Sequence, residues 1–96
     1  MYVQLLVFKT APNMQAPVET LADNAYAALK NAPGFKSATY FGDPDTNEFG
    51  AFYVWETKEA MDAVMKEFMP KLQEAVNAVA VEPAQRKAYE GYEPKT

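Results

Sequence analysis

Trp55 and Tyr53 stand two residues apart in a stretch that alternates like a strand, so an indole and a phenol project from one face. An indole ring can stack on a flat molecule, and its N–H needs a partner when buried. A phenol can hydrogen-bond an oxygen. Each residue also has a structural reading: Trp55 closes the strand end against a helix, and Tyr53 packs across strands. Gln4 is a polar residue in an apolar strand. If buried, its amide needs partners, and those are a ligand, a dimer interface or backbone. Tyr26 lies beside the apolar stripe of a helix, with its hydroxyl in water or turned into a pocket. Met61, Met65 and Phe68 recur at helical spacing, first as core and second as an adaptable wall for apolar ligands. Arg86 can pair with an anionic substrate or with a carboxylate at an interface. Trp55, Tyr53, Gln4, Tyr26, Met61, Met65, Phe68 and Arg86 are therefore the candidate substrate-binding set. The sequence assigns no catalytic residue.

What the chain lacks narrows the chemistry further. It has no histidine and no cysteine. The commonest general base, metal ligand and haem ligand are missing, and so are the thiolate nucleophile and the disulfide. Asp23, Glu59, Asp62, Glu67 and Glu74 read as a solvated face, with no pair of carboxylates placed to share a proton. No metal and no cofactor is expected. Nine basic against 13 acidic residues give a net charge of −4, which opposes nucleic-acid binding. No apolar run approaches the ~20 residues of a membrane span. Met1 to Lys9 is apolar but has neither a basic head nor a small-residue cleavage site, so it reads as a strand and not a signal peptide. A cytoplasmic protein is the expectation.

The elements that must position these groups follow from periodicity. Tyr2 to Phe8 is a strand with Tyr2, Gln4, Leu6 and Phe8 on one face and Val3, Leu5 and Val7 on the other. Both faces are apolar, so both need a cover; helices supply one and a second copy of the chain the other. A helix opens near Pro17, runs through Val18, Leu21, Ala22, Ala25, Ala28 and Leu29, and ends at Pro33-Gly34. Phe35 to Gly42 and Glu48 to Glu56 form a hairpin about the turn Asp43–Asn47, with Phe49, Ala51, Tyr53 and Trp55 on one face. Thr57 caps a second helix with Glu59 in its first turn and a stripe of Ala60, Met61, Val64, Met65 and Phe68. Pro70 is expected to kink or break it, with Lys71 to Val79 a second short helix. A last strand falls between Ala84 and Tyr92. The order β-α-β-β-α-β is the ferredoxin-like plan: one α+β domain over residues 1–96, with a four-stranded antiparallel sheet and helices on one face.

Two stretches narrow this common plan. Pro33-Gly34-Phe35-Lys36-Ser37-Ala38-Thr39-Tyr40 closely resembles the segment entering the second strand in antibiotic biosynthesis monooxygenases. Val54-Trp55-Glu56-Thr57-Lys58-Glu59-Ala60 resembles the strand-to-helix signature of that superfamily. The closing segment Arg86 to Pro94, with Tyr89, Tyr92 and Glu93-Pro94, is also similar to small members of the group. The resemblance implies a dimeric α+β barrel, a homodimer through the sheet face, with a pocket between sheet and helices in each protomer. It implies oxidation of polycyclic phenols to quinones by O₂ without a cofactor, or, in other members, haem degradation. Quinone-forming members place an Asn four positions before the Trp and a Tyr six after it; here those positions are Ala51 and Met61. Haem-degrading members use a His ligand, which this chain lacks.

The function expected from residues and resemblance together is cofactor-independent oxidation of a flat phenolic or polycyclic aromatic molecule by O₂. Its partners would be that small aromatic molecule and a second copy of the chain. The rival is a non-catalytic small-molecule-binding or structural dimer, motivated by the loss of polar groups at Ala51 and Met61.

Overall fold

The computed structural model describes residues 1–95. The chain runs β1 (Tyr2–Lys9), α1 (Gln15–Leu29), β2 (Phe35–Asp43), β3 (Glu48–Trp55), α2 (Lys58–Asn77) and β4 (Gln85–Glu90). The strands make one four-stranded sheet in the order β2-β3-β1-β4, with every pair antiparallel. This is the ferredoxin-like arrangement expected from the element order. β1 is central because it is apolar on both faces, whereas β4, with Arg86, Lys87 and Glu90, can stand at an edge.

The register places the site. Tyr2, Gln4, Leu6 and Phe8 of β1 lie opposite Trp55, Tyr53, Ala51 and Phe49 of β3. Gln4, Leu6 and Phe8 and all four β3 residues are buried under the helices. On β2, Ala38 and Tyr40 continue that face opposite Tyr53 and Ala51. The opposite face carries Val3, Leu5, Val7 and Val54 half-buried, with Phe41 42% and Phe52 38% exposed.

α1 has no side-chain N-cap, so it is held mainly by what it buries: Val18, Ala25 and Leu29. Beyond it Gly34 adopts φ +79, and a Cβ there would overlap the Cβ of Ala60. Only glycine suits both demands. The Gly34 carbonyl then accepts from Glu56 N at 2.8 Å, tying the exit of α1 to the exit of β3. α2 starts as the sequence indicates, with the Thr57 hydroxyl accepting from Ala60 N at 3.1 Å.

One expectation is overturned. α2 does not break at Pro70 but continues unbroken for 20 residues, Lys58–Asn77. Pro70 removes one N–H from the ladder, yet its ring sits on the exposed side. Met61 and Met65 before it, and Leu72 and Val76 after it, are all buried. Packing on both sides of the proline outweighs the local penalty of roughly 3 kcal/mol. No helix among the described residues is long and apolar enough to cross a membrane.

Candidate functional site

The helix-facing core divides into two buried clusters. At one end, Trp55 is fully buried among Leu29, Met61 and Met65. Its indole Nε1 donates to Gln4 Oε1 at 3.3 Å. Phe35 packs edge-on against it, with centroids 5.3 Å apart at 77°. Phe35 also stands 6.2 Å from Tyr53 and 6.3 Å from Tyr26. Tyr26 is 45% exposed, at the rim of this aromatic group. Phe68 is half-buried and packs against both clusters. This end is filled.

The other end holds a cavity of about 180 Å³ beneath α1. Phe8, Val18, Leu21, Phe49 and Ala51 line it, with Tyr40 as the phenol in its wall and Gln15 and Glu19 on the helix side. Ala51 creates the space: it is the small residue among Phe49, Ala51, Tyr53 and Trp55 on that face of β3. The Tyr40 hydroxyl lies 3.1 Å from that of Tyr53, the rings edge-on at 5.8 Å and 83°. Burial first, and the Tyr40 hydrogen bond second, push the Tyr53 phenol far above its ordinary 10.0. Burial also raises Tyr40, but there the Tyr53 hydrogen bond pulls the other way. Both phenols therefore keep their protons at neutral pH. Either hydroxyl can donate; when Tyr53 donates to Tyr40 Oη, the Tyr40 hydrogen is free for a molecule in the cavity. Near the mouth, the exposed Gln15 Nε2 donates to Glu19 Oε2 at 3.2 Å.

The residues singled out from sequence are therefore not one group. Trp55, Tyr53, Met61 and Met65 share the filled end, and Gln4 borders it through Trp55. Gln4 and Arg86 meet elsewhere, along β4. Phe68 lines two open grooves, of about 410 and 660 Å³, between the helices. Tyr40 and Glu19 escaped the sequence reading. Counting back through the hairpin turn sets Tyr40 opposite Ala51, and that register was the available signal. No grouping of three or more acidic side chains suited to a metal occurs among the described residues.

An antiparallel four-stranded sheet with two helices on one face and a phenol-walled cavity under the first of them defines a small ferredoxin-like protein. The antibiotic biosynthesis monooxygenase family model matches residues 1–78, and the chain belongs to that family. The match runs from β1 through α2 and stops short of β4. Three solved structures show the same fold. SnoaB, a cofactor-independent oxygenase from Streptomyces nogalater, is 18% identical, covers 97% of this chain and 94% of its own, and has a TM-score of 0.79. The monooxygenase from the gene ActVA-Orf6 of Streptomyces coelicolor, solved with nanaomycin D, is 19% identical over 99% and 90%, with a TM-score of 0.76. Rv0793 from Mycobacterium tuberculosis is 14% identical over 99% and 98%, with a TM-score of 0.81. No curated protein matches the chain. The family is the one the two sequence stretches resemble, and the protomer fold is the one the element order indicated.

Proposed function

We propose that this protein is a cofactor-independent monooxygenase that oxidises a small phenol with O₂ in the cavity beneath α1. The observation that carries the reading is the Tyr40 hydroxyl, backed by Tyr53, in the wall of a largely apolar space with Gln15 and Glu19 at its mouth. The family and the cofactor-independent oxygenase among its structural neighbours support the reaction class. The volume narrows the substrate. A dry cavity of roughly 150 Å³ accepts benzene. At about 180 Å³ this one takes a single ring, and a fused polycycle would have to protrude past Gln15 and Glu19.

The chemistry rests largely on the substrate. The phenol must be acidic enough to give up its proton at the mouth, where Glu19 is the carboxylate that lines it. Tyr40 donates to the resulting phenolate oxygen and fixes the ring, so the phenolate can pass electrons to O₂ inside an apolar wall. Phenol and O₂ give a quinone and water: the C–H opposite the hydroxyl is replaced by C=O, and the second oxygen atom leaves as water. Tyr40 supplies the polar contact that Ala51 cannot. The outer sheet face, with Phe41 and Phe52 exposed beside Val3, Leu5 and Val7, is the surface we assign to a second copy.

A second reading has its own support. Trp55, Met61 and Met65 close one end of the core, and both Gln4 and Tyr53 already have hydrogen-bond partners. That is the pattern of a binding or structural dimer. Oxygen uptake with monocyclic phenols and hydroquinones separates the two. The oxygenase reading expects uptake that falls in Tyr40→Phe and Glu19→Gln. Uptake no greater than in those variants supports the non-catalytic module.

A further inference from the structure

We infer that the groove between β4 and α2 is a second binding site, for a short-chain aliphatic monocarboxylate held by Gln4 and Arg86. The inference is independent of oxidation beneath α1.

It starts from the Trp55–Gln4 hydrogen bond. An indole N–H can only donate, so the Gln4 atom 3.3 Å from Trp55 Nε1 must be the oxygen. The amide nitrogen therefore points away from Trp55. Gln4 is 7% exposed, and among the described residues no acceptor bonds its Nε2. No buried side-chain nitrogen or oxygen there is sealed without a partner, so this nitrogen still meets solvent. The open space beside it is a groove of about 430 Å³ lined by Gln4, Met69, Ala84, Arg86, Lys87 and Ala88.

Strand register brings the second group to the same place. Ala88 lies opposite Gln4 and Arg86 opposite Leu6. Gln4 and Arg86 are thus diagonal neighbours on one face, a spacing of roughly 7–8 Å that long side chains span. Among the described residues no carboxylate lies within salt-bridge distance of Arg86. A guanidinium fork beside a neutral amide donor offers several N–H groups; Lys87 also borders the groove, but its register opposite Leu5 sets it on the other face of the strand. The fork and amide together match a planar carboxylate.

The tail of the ligand has an adjoining slot of about 80 Å³, which shares Met69, Ala84 and Arg86 with the groove and is lined by Leu6, Leu72 and Val76, with Gln73 and Asn77 as its polar side. It is about half the ~150 Å³ that accepts benzene, so it takes a short alkyl group and not a ring. Trp55 holds the Gln4 amide in place before any ligand arrives, which lowers the entropic cost of binding.

Trp55 is the single tryptophan of the chain, so its indole N–H resonance and its fluorescence report on Gln4. Butyrate and isovalerate are titrated into the intact protein while both signals and the β4 amide resonances are followed. Butyramide, benzoate and inorganic phosphate serve as comparisons. Saturable shifts in the indole and β4 signals are expected with the aliphatic acids, at least about tenfold weaker with butyramide, which lacks the charge-assisted contact. Arg86 is exposed, so Arg86→Gln keeps the fold and should weaken butyrate binding by at least about tenfold, with Arg86→Lys between. Three results would overturn the inference: no saturable shift at tens of millimolar butyrate, equal binding by Arg86→Gln, or dissociation of an oligomer in Arg86→Gln. The last would mean that Arg86 holds a carboxylate of a second copy.

Discussion

The two ends of the helix-facing core use the same strands and the same helices, yet one is full and the other hollow. At the Trp55 end, an indole, a phenylalanine edge, two methionine side chains and the fully buried Leu29 pack together, and none of Trp55, Met61 and Met65 lines any of the cavities described above. At the Phe8 end, the phenyl rings of Phe8 and Phe49, 6.4 Å apart, line a cavity of about 180 Å³. The difference lies in residue size along one face of β3, where Ala51 interrupts a run of aromatics. A small side chain in mid-strand positions the cavity, and the bulky one near the strand end anchors the wall.

That contrast can be broken most severely from the filled end. Trp55→Ala removes the largest fully buried side chain and leaves the Gln4 oxygen without its donor, so a loss of about 3–5 kcal/mol is expected by urea denaturation. A loss near the size of a surface change would mean that this end is not packed as described. Next comes the tyrosine pair, where the two single deletions should differ. Tyr40→Phe strands a buried Tyr53 hydroxyl and should cost about 1–3 kcal/mol. Tyr53→Phe leaves only the half-buried Tyr40 hydroxyl, which can find water, and should cost about 1 kcal/mol. The reverse order would mean that Tyr53 is not the more deeply buried of the two hydroxyls.

The same pair sets a pH dependence. The folded Tyr53 phenol ionises well above its ordinary 10.0, so beyond that pH the unfolded chain releases a proton that the folded chain retains. Its stabilisation is complete below pH 10 and declines as pH rises further. Alkaline unfolding followed by circular dichroism should show this decline, and Tyr53→Phe should flatten it. The smallest effect on stability is expected at the hollow end. Ala51→Leu fills space already present and should shift stability by within about 1 kcal/mol, while abolishing phenol binding measured by calorimetry. Retained binding would move the substrate out from under α1.

The fold was legible because β1 and β3 are short apolar runs rich in aromatic residues and bounded by polar ones, and Thr57 marks a helix start that the hydrogen bond to Ala60 N realises. The path of α2 through Pro70 was not, since a local penalty is visible in sequence and the tertiary packing that outweighs it is not. The site was legible in its residue types and less so in its grouping. Trp55, Tyr53, Met61 and Met65, candidates for a substrate site, fall in one buried cluster, but whether neighbours enclose a hole or fill one depends on volumes in three dimensions. Tyr40 was hidden because its role comes from the residue across the hairpin, Ala51, and not from its own surroundings in the chain. Gln4 and Arg86 are separated by most of the sequence, and only the β1–β4 register joins them.

That register has a dynamic consequence. β4 pairs with β1 alone, and all six of its residues are exposed. The other edge strand, β2, is anchored by the Phe35 ring against Trp55 and by the Tyr40 hydroxyl on Tyr53. β4 has no comparable buried anchor, so it is the strand that can detach while the rest stays folded, a local opening far below the cost of global unfolding. Its amides should therefore exchange with solvent deuterium well before those of β3, and each such excursion would carry Arg86 away from Gln4 without disturbing the cavity beneath α1.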